Sequence, residues 1–199
     1  MSNSTVDASK RTWLITSGCV GAVGAGFTAV PFVSSFQPSE RAKAAGAPVE
    51  VDISALQPGQ KMTVEWRGKP VWILRRTKEQ IEGLKKLDSQ VADPKSERNA
   101  YPTPDYAKND GRSIKPEFFV AVGICTHLGC SPTDKLQAGP QASLPDDWQG
   151  GFLCPCHGST FDLAGRVFKN KPAPDNLEVP PHMYLSDTRL VIGEDKKSA

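Results

Sequence analysis

Apolar and polar positions follow three different patterns along the chain. From Thr12 to Ser39 no residue is charged, and the apolar heart of that run is Trp13 to Val33. About 20 apolar residues suffice to cross a bilayer core. Gly18, Gly21, Gly24 and Gly26 interrupt the run, a spacing of small residues that lets another helix backbone approach closely in a membrane. A cleaved signal peptide is the competing reading, since Ala45-Gly46-Ala47 offers a small-x-small cleavage site. The run outlasts an ordinary signal core, and that site lies well beyond it. A retained membrane helix over 12–36 is therefore expected, with Cys19 inside it as a small apolar residue.

Pro38 to Pro48 holds alanines and a glycine but no large apolar residue. It cannot bury a core, so 37–48 reads as a flexible tether, with a frayed helix end as the alternative. Beyond it the period drops to two. Met62, Val64 and Trp66 alternate with polar positions, Arg67-Gly68-Lys69 turns, and Val71 to Leu74 returns. One helix interrupts the strands: Thr77 and Gln80 form a capping box, Ile81, Leu84 and Leu87 form a stripe, and Asp93-Pro94 ends it. Tyr101 to Lys115 is loop-like. Glu117 to Ile124 reads as a buried strand, Gly150-Gly151-Phe152-Leu153 leads into a second motif, and Arg189 to Ile192 closes the domain. Short strands with seventeen prolines and seventeen glycines predict a small antiparallel β sandwich or barrel over 49–199.

Composition sets the outer limits. With 38% hydrophobic and 23% charged residues, the chain is one compact domain with an appendage, neither a polyelectrolyte nor a multi-spanning protein. Lysine plus arginine is 24 against 22 acidic residues, a net +2, which gives no footprint for nucleic acid. Ser9-Lys10-Arg11-Thr12-Trp13-Leu14 resembles a twin-arginine export signal with Lys10 in the first arginine's place. Such a protein folds and takes up its cofactor before it crosses the membrane. Residues 1–11 would stay cytoplasmic, an orientation that Arg41 and Lys43 on the far side weaken. The remainder would lie in the periplasm of a bacterial inner membrane. Trp66 and Trp72 read as sheet core, His182 as an ordinary surface or packing histidine, and Ser131 to Trp148 as a surface insertion able to touch a partner subunit.

The chemistry concentrates in two clusters, Cys125-Thr126-His127-Leu128-Gly129-Cys130 and Cys154-Pro155-Cys156-His157-Gly158-Ser159. Each offers cysteine and histidine. Zinc in a Cys2His2 site is the ordinary default for this ligand set. Two cysteines are then left over, Cys130 and Cys156, which fit a disulfide pinning loop to loop outside the cytoplasm. Spacing alone leaves open a pairing in which either of them is a ligand.

This pair of motifs resembles the Rieske iron–sulfur signature, in the disulfide-bearing form of quinol-oxidising cytochrome bc1 complexes. Pro172-Ala173-Pro174 followed by Leu177-Glu178-Val179-Pro180 resembles that form's proline loop, and the glycine-rich amino-terminal helix and short tether match as well. The resemblance implies a Rieske-type antiparallel β sandwich with a cluster-binding subdomain over about 123–180. It implies one [2Fe–2S] cluster, with Cys125 and Cys154 on one iron and His127 and His157 on the other, and a Cys130–Cys156 disulfide. Two histidines in place of two thiolates raise the potential above that of all-cysteine clusters. Ser159 matches a serine that donates to a bridging sulfide. Phe161 stands where high-potential relatives place a tyrosine, and Lys171 stands where a glycine commonly precedes the proline turn.

The resemblance further implies the working cycle. His157 would accept a hydrogen bond and a proton from ubiquinol held in cytochrome b, with one electron passing onward to cytochrome c1 and the other to haem b. Leu128 and Pro172 would surround the cluster, Leu128 at the exposed docking tip. The tether would let the head move between its two partners inside a dimeric multi-subunit complex in the lipid bilayer. Other readings are a soluble Rieske ferredoxin, the small subunit of an exported arsenite oxidase, and a zinc-stabilised module without redox chemistry.

Overall fold

The computed structural model describes residues 7–98, 100–101 and 103–195. It divides the chain into an amino-terminal unit, Met1–Ala44, and a head, Ala45–Ala199. Residues 1–6 of the expected cytoplasmic segment lie outside the described residues. In the first unit, helix α1 runs Ala8–Ser34. Asp7 caps it, its carboxylate accepting from the N–H groups of Ser9 and Lys10 at 3.0 and 3.3 Å. It therefore begins a full turn before the uncharged run, carrying Lys10 and Arg11 on its first turns. At a rise of about 1.5 Å per residue it is about 40 Å long, enough to cross a membrane by length and composition. Every one of its residues is exposed. The Thr12 and Thr28 hydroxyls donate to the carbonyls of Ala8 and Gly24, both at 2.9 Å, so neither needs water.

The tether departs from the expectation of irregular chain. Glu40–Ala45 forms a short helix, α2. The Ser39 hydroxyl accepts from Ala42 N–H at 3.2 Å, and the Lys43 ammonium meets the Glu40 carboxylate at 2.7 Å. Alanine-rich sequence with a serine cap favours helix locally, and Gly46 and Pro48 end it.

Among the described residues, nine strands follow in the head: β1 Val49–Asp52, β2 Lys61–Trp66, β3 Lys69–Arg75, β4 Phe118–Val122, β5 Thr133–Lys135, β6 Gly151–Leu153, β7 Thr160–Asp162, β8 His182–Tyr184 and β9 Arg189–Ile192. All pairings are antiparallel, in three sheets ordered β1-β9-β8, β2-β3-β4 and β5-β6-β7. In the middle sheet, strands β3 and β4 are buried on both faces. Val71, Ile73, Val120 and Val122 face Val51, Leu190 and Ile192 of the first sheet. Their neighbours Trp72, Leu74, Phe119 and Ala121 face Phe152 and Phe161 of the third. Period-two alternation thus serves two cores at once, which is why β4 reads as a continuous apolar run. Trp66 and Trp72 are both core, at 4% and 3% exposure.

Helix α3, Lys78–Lys86, has the expected capping box, with Thr77 Oγ1 accepting from Gln80 N–H and Gln80 Oε1 from Thr77 N–H. It stops at Leu87, earlier than Asp93-Pro94, and packs Leu84 and Leu87 inward. Ser131 to Trp148 is only partly a surface insertion. Its first residues form β5, paired to β6, and Trp148 is buried with its indole N–H donating to Lys135 O at 2.8 Å. His182 is a packing histidine: it is buried, Nδ1 meets Pro180 O at 2.8 Å, and its ring lies edge-on to Tyr106.

Candidate metal–sulfur site

Two loops and a third segment build the site at one end of the head. The buried strand β4 delivers Cys125, and β6 delivers Cys154. The two loops share one hydrogen-bond skeleton. Cys125 N–H donates to Cys130 O at 2.7 Å and Cys154 N–H to Ser159 O at 2.8 Å. Gly129 N–H returns to Cys125 O at 3.1 Å and Gly158 N–H to Cys154 O at 3.0 Å. Both glycines sit at positive φ, 83° and 75°, where a side chain is strained.

The proline loop closes the third side, with one hydrogen bond to each of the other two. Thr126 Oγ1 donates to Asp175 O at 2.6 Å, and Ala173 N–H donates to Ser159 Oγ at 2.9 Å. Ala173 and Leu177 are buried, while Pro172 and Lys171 are exposed. Farther back, Arg112 donates to Leu177 O at 2.8 Å and to Ala164 O at 3.1 Å, joining the proline loop to the turn after β7.

Inside this frame the sulfur atoms lie deep and the imidazoles lie outside. Cys125 and Cys154 are each 2% exposed and free. Burial pushes the Cys125 thiol up; the His127 backbone N–H opposes that, the adjacent Cys154 sulfur adds to it, and the Ser159 hydroxyl opposes it. His127 is half-buried and His157 exposed, and their rings meet edge to face with centroids 4.8 Å apart. Leu128 is 71% exposed beside them.

Cys130 and Cys156 form a disulfide, with Cα atoms 6.7 Å apart. The sulfurs of Cys130, Cys154 and Cys156 all lie within 4.8 Å of one another, but two of the three are spent in that bond. This removes the pairing in which Cys130 or Cys156 serves as a ligand. Two thiols and two imidazoles remain, a donor set that fits a cluster with mixed ligation. Phe161 is fully buried in β7, opposite Phe152.

Sequence reasoning found the loops, the disulfide pair and the proline segment. It passed over Thr126, although that residue stands inside the first motif. It also passed over Arg76, Arg112 and Arg166, the buried arginines around the turn after β7. An arginine in a loop carries no local sign that it will be enclosed.

Fold and loops together define a Rieske-type iron–sulfur protein. The family model described as the Rieske [2Fe-2S] domain matches residues 105–181, and that described as the ubiquitinol–cytochrome c reductase Fe–S subunit TAT signal matches 2–39. The ubiquinol–cytochrome c reductase iron–sulfur subunit of Allochromatium vinosum is 58% identical over 190 residues, covering 96% of this chain and 90% of the relative. Its counterparts from Blastochloris viridis and Rhodospirillum rubrum are each 40% identical, covering 96% and 94% of this chain and 97% and 93% of their own. The chain belongs to the family of ubiquinol–cytochrome c reductase iron–sulfur subunits. Its cofactor is one [2Fe–2S] cluster.

Proposed function

We propose that this chain is the electron-carrying subunit of a bacterial cytochrome bc1 complex, taking one electron and one proton from ubiquinol and passing the electron to cytochrome c1. The observation that carries the proposal is the split between two buried thiols and two outward imidazoles on twin loops. Cys125 and Cys154 would hold the inner iron, and His127 and His157 the outer one. When bound, the cluster supplies a one-electron acceptor whose potential the two neutral imidazoles raise.

The chain's own groups supply the remainder. His157, the more exposed imidazole, accepts the hydrogen bond and the proton of ubiquinol at its outer ring nitrogen. A nearby metal charge lowers that nitrogen's proton affinity, so gaining an electron favours gaining a proton there. Leu128 and Pro172 provide an apolar rim that seats against cytochrome b and excludes water. Ser159 Oγ already accepts from Ala173 N–H, so its proton is left to donate towards sulfur. Helix α1 anchors the subunit in the inner membrane, with residues 1–11 cytoplasmic and the head periplasmic, inside a dimeric complex.

Low-temperature EPR on ascorbate-reduced membranes tests the ligand set. A rhombic signal with a low average g value, shifted by a quinol-site inhibitor, is expected; a silent sample rich in zinc refutes it. The tether has a separate test. Two or three prolines introduced over 38–48 would stiffen it and slow turnover with the cluster spectrum unchanged. Normal turnover in that variant removes the moving head from the mechanism.

A further inference from the structure

Ser159 is wholly enclosed, at 0% exposure, so its hydroxyl must find its partners inside the protein. Its Oγ accepts from Ala173 N–H at 2.9 Å. Its proton is directed at sulfur, where the hydroxyl acts on the Cys125 thiol against the effect of burial. A hydroxyl that accepts on one side donates more strongly on the other, so the placement of Ala173 N–H matters to the sulfur. Upstream of Ala173, Asn170, Lys171 and Pro172 are exposed. Downstream, the chain is held at each residue from Pro174 to Leu177. Arg98 donates to Pro174 O and lies 3.8 Å from the Asp175 carboxylate, while Thr126 donates to Asp175 O. The buried Asn176 amide works at both ends: Oδ1 accepts from Val167 N–H and Nδ2 donates to Asp93 O, both at 2.9 Å. Leu177 N–H donates to Gly165 O at 2.8 Å, and Leu177 O accepts from Arg112.

Asp93 and Arg98 belong to one segment, 93–98, which is itself braced. The Asp93 carboxylate accepts from the N–H groups of Glu97 and Arg98 at 3.0 and 3.1 Å. Ser96 is buried at φ 55°, a strained conformation for a residue with a side chain. Its Oγ accepts from Arg112 Nε at 2.8 Å and lies 3.4 Å from Asn176 Nδ2. We propose that Asn176 is a positioning residue for electron acceptance: anchored to 93–98, it holds the proline loop so that Ala173 N–H stays on Ser159 Oγ and the serine proton stays aimed at sulfur. The proposal rests on the reading of Ser159 as a donor to sulfur beside the ligand Cys125. Between Asn176 and Ala173 stand only Asp175, whose carbonyl is taken, and Pro174, whose ring fixes φ. A shift at Asn176 is therefore passed on to Ala173 and not absorbed. A hydrogen bond given to a sulfur ligand stabilises the site after it gains an electron, because that electron adds negative charge there. Once the anchor is lost, the Ser159 hydroxyl is no longer held by Ala173, and the site becomes harder to reduce.

The test is an EPR-monitored redox titration of the full complex in membranes, with thermal unfolding alongside. Wild type is compared with N176A, R98A, S159A and the doubles N176A/S159A and R98A/S159A. N176A removes the anchor at its centre. R98A removes only the outer hold, and with 47% of that side chain exposed the fold does not depend on it. The expected result is a downward midpoint shift in N176A, a smaller one in R98A, and one at least as large as either in S159A. Neither N176A nor R98A should add to the shift that S159A has already caused. That non-additivity is the signature of action through the serine, since a purely structural role lowers the unfolding temperature and leaves the midpoint alone. Wild-type midpoints in N176A and R98A overturn the proposal. Shifts that persist undiminished in the S159A background overturn it too, because they belong to charge or solvent and not to the serine. EPR reads the loaded fraction alone, so a poor yield of N176A still gives a midpoint, and R98A decides where none loads. A wild-type midpoint in S159A is a different failure, that of the Ser159 assignment itself.

Discussion

The loops Cys125–Cys130 and Cys154–Ser159 have the same backbone hydrogen bonds and the same positive-φ glycine, yet they place their chemistry one residue apart. Counting from the leading cysteine, the second position is His127 in one loop and Cys156 in the other. The third is Leu128 in one and His157 in the other, and both are exposed. The fifth is Cys130 in one and Ser159 in the other. The disulfide therefore joins the fifth position of the first loop to the second position of the other, an unsymmetrical tie across a nearly symmetrical frame. The two loops carry one exposed apolar side chain and one exposed imidazole at equivalent places. A shared skeleton fixes where the thiols lie, and the offset decides which imidazole reaches outward.

If that tie holds the twin loops together, breaking it should produce the largest effect. The two cysteines are separated by 26 residues in the sequence. Closing a loop of that size removes unfolded-state entropy of about 3.5 kcal/mol in the chain-entropy description. Cys130→Ser and Cys156→Ser are expected to lose roughly that much stability and much of the cluster signal. Chemical unfolding together with iron content checks this; a Cys130→Ser protein as stable as wild type and fully loaded would mean that the backbone skeleton alone holds the loops.

Equivalence of the two skeletons has its own test. A methyl added at Gly129 or Gly158 meets nothing within 4 Å, so each substitution costs only its backbone conformation. Gly129→Ala and Gly158→Ala should each lose about 1–2 kcal/mol, and by similar amounts. Thermal unfolding of the pair measures it, and a severalfold difference between them would break the comparison.

The loops were legible because their chemistry is local: cysteine, histidine and glycine at short fixed spacing. Helix α3 was legible for the same reason, through Thr77 and Gln80. What sequence reasoning lost depends on distance along the chain. Strand β8 hides behind Pro180-Pro181, and so short a strand shows no period. Strand β5 looked like inserted surface because its partner β6 lies well downstream, across the turn that buries Trp148. The enclosed arginines are set by carbonyls from segments far away, so nothing beside Arg112 announces its burial. Helix α2 could not be separated from irregular tether for the opposite reason. Its alanines are ordinary in a tether, and only the Ser39 cap tips them into a turn.

Beyond the second loop, Phe161 separates packing from redox tuning. It is wholly enclosed, and unlike tyrosine it has no hydroxyl to offer a ligand sulfur. Phe161→Tyr is expected to raise the midpoint, with a stability change below about 1.5 kcal/mol because the ring volume is nearly conserved and the added hydroxyl, which left unpaired would cost about 1–3 kcal/mol, donates to sulfur. An unchanged midpoint in a folded, loaded protein would mean that the fold does not aim this position at sulfur.

The smallest effect on the fold should come from the other tip position. Leu128 is 71% exposed, so replacing it removes almost no buried area. Leu128→Gln should leave stability within about 0.5 kcal/mol and the midpoint unchanged. If the tip is a docking surface with an apolar half and a hydrogen-bonding half, the same variant slows quinol oxidation by the complex and weakens the inhibitor-induced EPR shift. His157 is still present in it, so any loss belongs to docking and not to proton transfer. Full turnover with an intact inhibitor shift would show that the equivalence of Leu128 and His157 is a matter of backbone alone, and that the imidazole suffices to seat the head.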